Sequence, residues 1–146
     1  MTFTLPNFHF DYHLDHIGIA VNSLEEGAQF YRFLGMKDML IEEVASEKVR
    51  VGFIDFNGDK TTRIELLEAT DDSSPIAQFI KKRGVGIHHI CLRVKSLVEI
   101  LKQLKDDNIR LIHETPKIGA HNCMIAFIHP SSCGGVLVEL SEKMES

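Results

Sequence analysis

Gly86-Ile-His-His-Ile-Cys-Leu-Arg-Val94 puts two histidines at the head of an apolar run, and Asp15-His-Ile-Gly-Ile-Ala-Val21 has the same shape. Laid over one another, residues 15–26 and 88–99 agree at six of twelve positions: His16/His89, Ile17/Ile90, Val21/Val94, Ser23/Ser96, Leu24/Leu97 and Glu26/Glu99. The offset is 73 residues. A second match sets Arg63-Ile-Glu-Leu-Leu67 over Leu137-Val-Glu-Leu-Ser141 and pairs Glu65 with Glu139 at an offset of 74, so one inserted residue reconciles the two. Chance likeness between apolar strands does not account for a shared histidine, a shared glutamate and a shared offset together. The chain reads as a tandem duplication.

Each copy predicts the same order of elements. The alternation and β-branched residues of 16–21 are those of a strand. Ser23-x-x-Glu26 reads as a capping box. The helix it opens runs through Phe30, Tyr31 and Leu34, and Gly35 suits its C-terminal cap. Strands are expected at 39–44, 49–56 and 62–67. In the second copy 89–94 is a strand, Ser96-x-x-Glu99 caps a helix to about Asp107, and strands are expected near Arg110, at 124–128 and at 136–140. Between the copies Ser74-Pro75 opens a linker helix that Gly84 ends. The expected fold class is α+β: two tandem βαβββ modules, about 14–69 and 86–142, joined by a helix at about 74–84 and preceded by an extension, 1–13.

Composition narrows the function. A chain of 146 residues with 44% apolar and 25% charged residues suits one compact domain with a core of its own. No apolar run approaches the roughly 20 residues needed to span a bilayer. The first residues, MTFTLPNFHFDYH, lack the basic start, apolar stretch and cleavage site of a secretory signal. Cys91, Cys123 and Cys133 show no C-x-x-C spacing and read as free thiols of a reducing compartment, so a cytoplasmic place is expected. A formal charge of −5 argues against general nucleic-acid binding. An anionic small ligand needs only local cations, such as Lys117 or the Lys81-Lys82-Arg83 run, although that run equally suits a helix C-terminus.

Side chains alternate across a strand. His16 therefore shares a face with Gly18 and Ala20, and His89 with Cys91 and Arg93. His88 is expected to point the other way, aligned with Asp15. Two modules paired about a local twofold bring His16 to His89 and Glu65 to Glu139. Two imidazoles and two carboxylates suit one divalent metal such as zinc, cobalt, nickel or manganese, and four protein ligands leave coordination positions open for a catalytic role.

At these residues the sequence resembles the vicinal oxygen chelate superfamily, and within it the methylmalonyl-CoA epimerases. The likeness spans 14–142 and is carried by four segments: DHIGIAV (15–21), IELLEA (64–69), the run from Asp72-Ser-Ser-Pro-Ile-Ala-Gln-Phe-Ile80 through KKRGVGIHHICLRV (81–94), and KIGAHNCMIAFIHPSSCGGVLVEL (117–140). It implies a cupped mixed sheet around one metal held by His16, Glu65, His89 and Glu139. It also implies an acyl-CoA substrate and proton abstraction beside a thioester, with Glu139 as one acid–base. Two roles are open to Glu65: metal ligand alone, or ligand and second acid–base. A glutamate proposed as a base in the epimerases aligns here with Val51; nearby Glu47 is out of register and is expected in a surface loop. His121, in the Gly-Ala-His loop, is a candidate substrate contact, and His129-Pro130 is expected to fix a turn. A homodimer is expected, and the aromatic extension of Phe3, Phe8, Phe10 and Tyr12 suits either a dimer partner or a cover on its own chain. Two other readings stand beside the epimerase. His-Glu-His-Glu is also a ligand set of bacterial glyoxalase I, and a non-catalytic binding protein can share the fold. Four filled metal positions favour an enzyme, and His129-Pro-Ser-Ser-Cys-Gly-Gly135 favours the epimerase.

Overall fold

Both copies of the repeat fold alike in a computed structural model, which describes residues 1–2, 10–56 and 58–145. The first copy gives β1 (Tyr12–Val21), α1 (Leu24–Phe33), β2 (Leu40–Val44), β3 (Val49–Phe56) and β4 (Asp59–Ala69). The linker helix α2 (Pro75–Arg83) follows. The second copy gives β5 (Gly86–Val94), α3 (Leu97–Asp106), β6 (Lys117–Ile118), β7 (Cys123–Ile128) and β8 (Val138–Lys143). The strands form one sheet in the order β2-β3-β4-β1-β5-β8-β7-β6, curled into a half-barrel. β1 and β5 pair antiparallel at its centre, β1 runs parallel to β4, and β5 runs parallel to β8. The order is the same read outward from either side of the β1–β5 seam, which is the local twofold that the offsets imply.

Each of the three apolar clusters buries a helix against the sheet. α1 places Leu24 and Ala28 on Val21, Ile54 and Leu66, and α3 places Leu97, Ile100 and Leu101 on Val94, Ala126, Ile128 and Leu140. The third sets Ile76 of α2 against Val44, Val49, Val51, Phe53 and Leu67. Several of these residues also line the cavity inside the curl. Phe10 packs against the α3 cluster of its own chain, whereas Tyr12 is exposed. Phe3 and Phe8 lie outside the described residues.

Four expectations need correction, two of them here. The strand near Arg110 is only a single bridge, Leu111 to Ile128, with a two-residue β6 further on. Pro116, immediately before β6, has no N–H to give a ladder. Ser96 caps nothing with its side chain: it lies in the left-handed region, φ 58 and ψ 52. The Glu142 carboxylate takes the Ser96 and Leu97 N–H groups instead, at 3.0 and 2.8 Å. In the first module Ser23 does cap, accepting from Glu26 N at 3.1 Å, and Glu68 Oε2 takes the Leu24 N–H at 2.6 Å. Glu68 and Glu142 are thus equivalent caps supplied by β4 and β8, at the same offset of 74 as Glu65 and Glu139. Glu142→Ala is expected to lower the stability of unfolding by about 1 kcal/mol, the usual cost of a lost cap, and Ser96→Ala to leave it unchanged; urea midpoints of the two variants check this. The other two, the facing of His88 and the placement of Glu47, belong to the site.

Candidate active site

The four predicted ligands come from the four central strands. Glu65 on β4 lies beside Gly18 of β1, and Gly18 lies opposite His89 of β5. In the mirrored half, Glu139 on β8 lies beside Cys91 of β5, and Cys91 lies opposite His16. Gly18 is required here by close approach: a Cβ on it would sit 2.3 Å from Cε1 of the His89 ring. Its absence lets the imidazole reach across β1 to His16. His16 Nε2 is 3.0 Å from His89 Nε2 and 2.5 Å from Glu65 Oε2, and His89 Nε2 is 3.1 Å from Glu139 Oε2. All four residues are buried. The structure therefore brings His16, His89 and Glu139 to one point and joins Glu65 to it through His16 Nε2.

Both histidines are oriented from behind by residues in β-bulges. The β1–β5 register shifts between Leu14 and His16 and again between Gly18 and Ile19, which leaves Asp15 and His88 as the extra residues. They are repeat equivalents. A bulge breaks the strict alternation of faces, so Asp15 and His88 line the same cavity as His16 and His89. This corrects the expectation that His88 turns away. Its Nδ1 lies 3.0 Å from His89 Nδ1, and its ring meets the Phe79 ring edge-on at 4.9 Å. Asp15 Oδ2 lies 2.8 Å from His16 Nδ1, and its carboxylate is also paired with Arg93 at 2.9 Å and Arg63 at 3.4 Å.

These contacts set the charge states. Burial works to raise the Asp15 carboxyl, but the His16 hydrogen bond and the charges of Arg63 and Arg93 outweigh it and hold the pKa at about 2. Burial works to lower His16, but its hydrogen bonds to Asp15 and Glu65 lift it to about 9. Glu139 is lowered in spite of its burial, chiefly by the hydrogen bond and charge of His89. His88 is pushed down to about 4, first by burial and then by His89. Burial first, and then the charges of Glu139, Asp15 and Glu65, push up the Cys91 thiol. It therefore stays protonated and faces Glu139 Oε1 at 3.6 Å.

The donor set fits a divalent metal. Each imidazole has its Nδ1 held on the outer side and its Nε2 turned to the shared point, the usual arrangement of a ligating histidine. One carboxylate oxygen comes from each module. His16, His89 and Glu139 donor atoms lie within 4.8 Å of one another, as do those of Asp15, His16 and Cys91. The second group is a poor site, since Asp15 is already neutralised by two arginines and Cys91 is a thiol.

The cluster lies in the wall of a cavity of about 290 Å³ inside the curl of the sheet. Val51 is buried in its wall. Glu47 also lines the cavity and is ion-paired with Lys117 of β6, which corrects its placement in a surface loop. His113 is a wall residue that the sequence did not single out. Its Nδ1 accepts the Phe127 N–H at 3.0 Å, and burial and the charge of Lys117 lower its pKa. Near His121 the wall is made by Gly119, Ala120 and Cys123. His121 itself sits at φ 58, gives its N–H to the Glu42 carboxylate at 3.0 Å and packs its ring 4.3 Å from that of Phe53. His129 fixes a turn as expected, accepting the Ser131 N–H at 3.1 Å. Lys81, Lys82 and Arg83 form the exposed last turn of α2.

The chain belongs to the glyoxalase/bleomycin resistance protein/dioxygenase superfamily, whose family model matches residues 15–127. Among its relatives, the mitochondrial methylmalonyl-CoA epimerase of Dictyostelium discoideum is 42% identical over 131 residues, which are 89% of this chain and 78% of that protein. The crystal structure of methylmalonyl-CoA epimerase from Mycobacterium tuberculosis superposes with a TM-score of 0.83 at 38% identity, covering 90% of this chain and 88% of that one. A variant of the Streptomyces coelicolor methylmalonyl-CoA epimerase, in complex with 2-nitronate-propionyl-CoA, gives a TM-score of 0.83 at 29% identity, covering 90% of this chain and 97% of that one.

Proposed function

We propose that this protein is a metal-dependent epimerase that interconverts the two epimers of methylmalonyl-CoA. The observation that carries the reading is the convergence of His16, Glu65, His89 and Glu139 in the wall of one cavity, in a chain similar over most of its length to methylmalonyl-CoA epimerases. The metal is cobalt, zinc, nickel or manganese, the ions this donor set suits. Held by His16, Glu65, His89 and Glu139, such an ion would supply the positive charge that makes a C–H beside a thioester more acidic.

The protein residues divide the remaining work. Glu139 takes the proton on one face: among the described residues its Oε1 meets the weak thiol donor of Cys91 at 3.6 Å, which leaves it able to receive a proton within hydrogen-bond reach. Both oxygens of Glu65 are engaged, Oε2 by His16 and Oε1 by the Arg63 guanidinium at 3.2 Å, an arrangement that suits a ligand. Asp15 and His88 hold the two imidazoles in place. The apolar wall, including Val49, Val51, Leu67 and Ile125, excludes water from the site of proton removal.

The test offers metal-loaded protein methylmalonyl-CoA in deuterated water, beside the methylglyoxal–glutathione hemithioacetal. The expected result is deuterium at the α-carbon of both epimers by proton NMR, with little turnover of the glutathione adduct. Glyoxalase turnover with no exchange on the CoA ester would move the assignment to glyoxalase I, and neither activity would leave a binding protein.

A further inference from the structure

The row of residues that carries the donor cluster continues beyond Glu139. His16 lies opposite Cys91, Cys91 beside Glu139, and Glu139 opposite Phe127 of β7. One step further out is His113, in the segment between α3 and β6. Its backbone N–H donates to the Phe127 carbonyl at 3.2 Å, and its ring Nδ1 accepts the Phe127 N–H at 3.0 Å. His113 is thus fixed at the level of the cluster. The Phe127 ring meets those of both His113 and His89, at 5.8 and 5.5 Å.

The bond to Phe127 also fixes the tautomer. A neutral imidazole has one donor nitrogen and one acceptor. With Nδ1 accepting a backbone N–H, the ring proton is on Nε2. Burial and the charge of Lys117 favour this neutral form. The residue lines the cavity, and among the described residues the bond through Nδ1 is the ring's one hydrogen bond. Nothing in the duplicated frame demands a histidine here. In the first module Leu40 of β2 stands opposite Phe53, the repeat equivalent of Phe127 at the offset of 74. A neutral donor contributes most at an oxygen that is uncharged in the substrate and gains charge in the transition state. In proton abstraction beside a thioester, that is the thioester carbonyl oxygen.

We propose that His113 is a catalytic hydrogen-bond donor, whose Nε2–H meets the thioester oxygen of the substrate and stabilises the charge that develops there. The inference rests on the epimerase reading above. As a base takes the α-proton, the C–H electron pair forms the C–C double bond of the enolate and the carbonyl π pair moves onto that oxygen. The carbonyl re-forms as the carbon is reprotonated. His113 keeps its proton throughout, and nothing is oxidised or reduced. Both directions pass through the same oxyanion, so His113 serves the two epimers alike.

The test compares metal-saturated parent, His113→Asn and His113→Gln proteins by epimerisation kinetics and by deuterium exchange from each epimer of methylmalonyl-CoA. Asparagine keeps an acceptor for the Phe127 N–H but has no donor at the position of Nε2, whereas glutamine places an amide N–H near it. His113→Asn is expected to keep the metal content and urea midpoint of the parent. It should lose kcat by roughly 100-fold or more, the usual cost of one such donor, with little change in KM. Both epimers should be slowed by the same factor, unlike the single-epimer loss expected of an acid–base. His113→Gln should recover part of the rate. In the substrate-free parent, nitrogen NMR should report the neutral Nε2–H form of His113. Absence of exchange in the parent would overturn the epimerase reading and this inference with it. With exchange present in the parent, the role of His113 alone would be overturned by any of four results in His113→Asn: a parent-like kcat, a change confined to KM, a loss confined to one epimer, or a fall in metal content or urea midpoint that accounts for the lost rate. An Nδ1–H spectrum in the parent would overturn it as well.

Discussion

His89→Ala is expected to abolish tight metal binding, with His88→Ala the milder of the two. The neighbouring histidines of GIHHICLRV differ in what their nitrogens meet. His89 turns Nε2 to the point shared with His16, Glu65 and Glu139, whereas His88 touches that cluster only through His89 Nδ1. Loss of an outer partner of a ligating histidine typically weakens a metal by 10–100-fold, and loss of the ligand itself should exceed that. The alanine at 88 should therefore still load at saturating metal and show the Co(II) absorption of the parent. The alanine at 89 should retain little metal after dialysis. Elemental analysis and titration with Co(II) give the ranking. The opposite order would mean that the bulge at His88, and not the strand residue after it, presents the ligand.

The same pair shows where sequence pattern carries information about this fold and where it stops. His16, Glu65, His89 and Glu139 were legible because the duplication repeats them at a nearly constant offset, and a local twofold turns an offset into a meeting point. Facing was legible only while the β1–β5 ladder stays regular. Period-2 reasoning assumes no inserted residue, and the bulges at Asp15 and His88 each insert one. Asp15 thereby becomes the partner of His16 Nδ1, a role that the Asp-His dipeptide alone did not assign. Ser23 caps α1 as the sequence implies, whereas the cap expected of Ser96 is missing for another reason. A capping box is local, but Leu24 and Leu97 take their caps from Glu68 and Glu142, 44 and 45 residues away. A signal for these caps was present, since the two glutamates keep the offset of 74. Glu47 was invisible because its direction is set by the 3-10 turn at 45–47 and the left-handed Lys48, neither of which periodicity reports.

Glu139→Gln and Glu65→Gln should differ in kind, although the two glutamates are repeat equivalents with similar burial. Glutamine keeps an oxygen that can ligate but cannot accept the proton as a base does. Both variants lose one negative charge at the cluster, so both should bind metal more weakly, and rates must be compared at metal saturation. What separates them is the second oxygen of each carboxylate. In Glu65 it meets the Arg63 guanidinium, which is itself tied to Asp15. In Glu139 it meets a thiol at 3.6 Å. Glu139→Gln is therefore expected to lower epimerisation by roughly 100-fold or more and to abolish solvent exchange from one epimer while sparing the other. Glu65→Gln should slow exchange from both epimers by the same factor, because weaker charge at the cluster raises the barrier on either face. Loss of exchange from a single epimer in Glu65→Gln, complementary to the loss in Glu139→Gln, would make Glu65 the second acid–base. Parent-like epimerisation by Glu139→Gln would remove Glu139 and require the proton to pass through a wall residue such as His113.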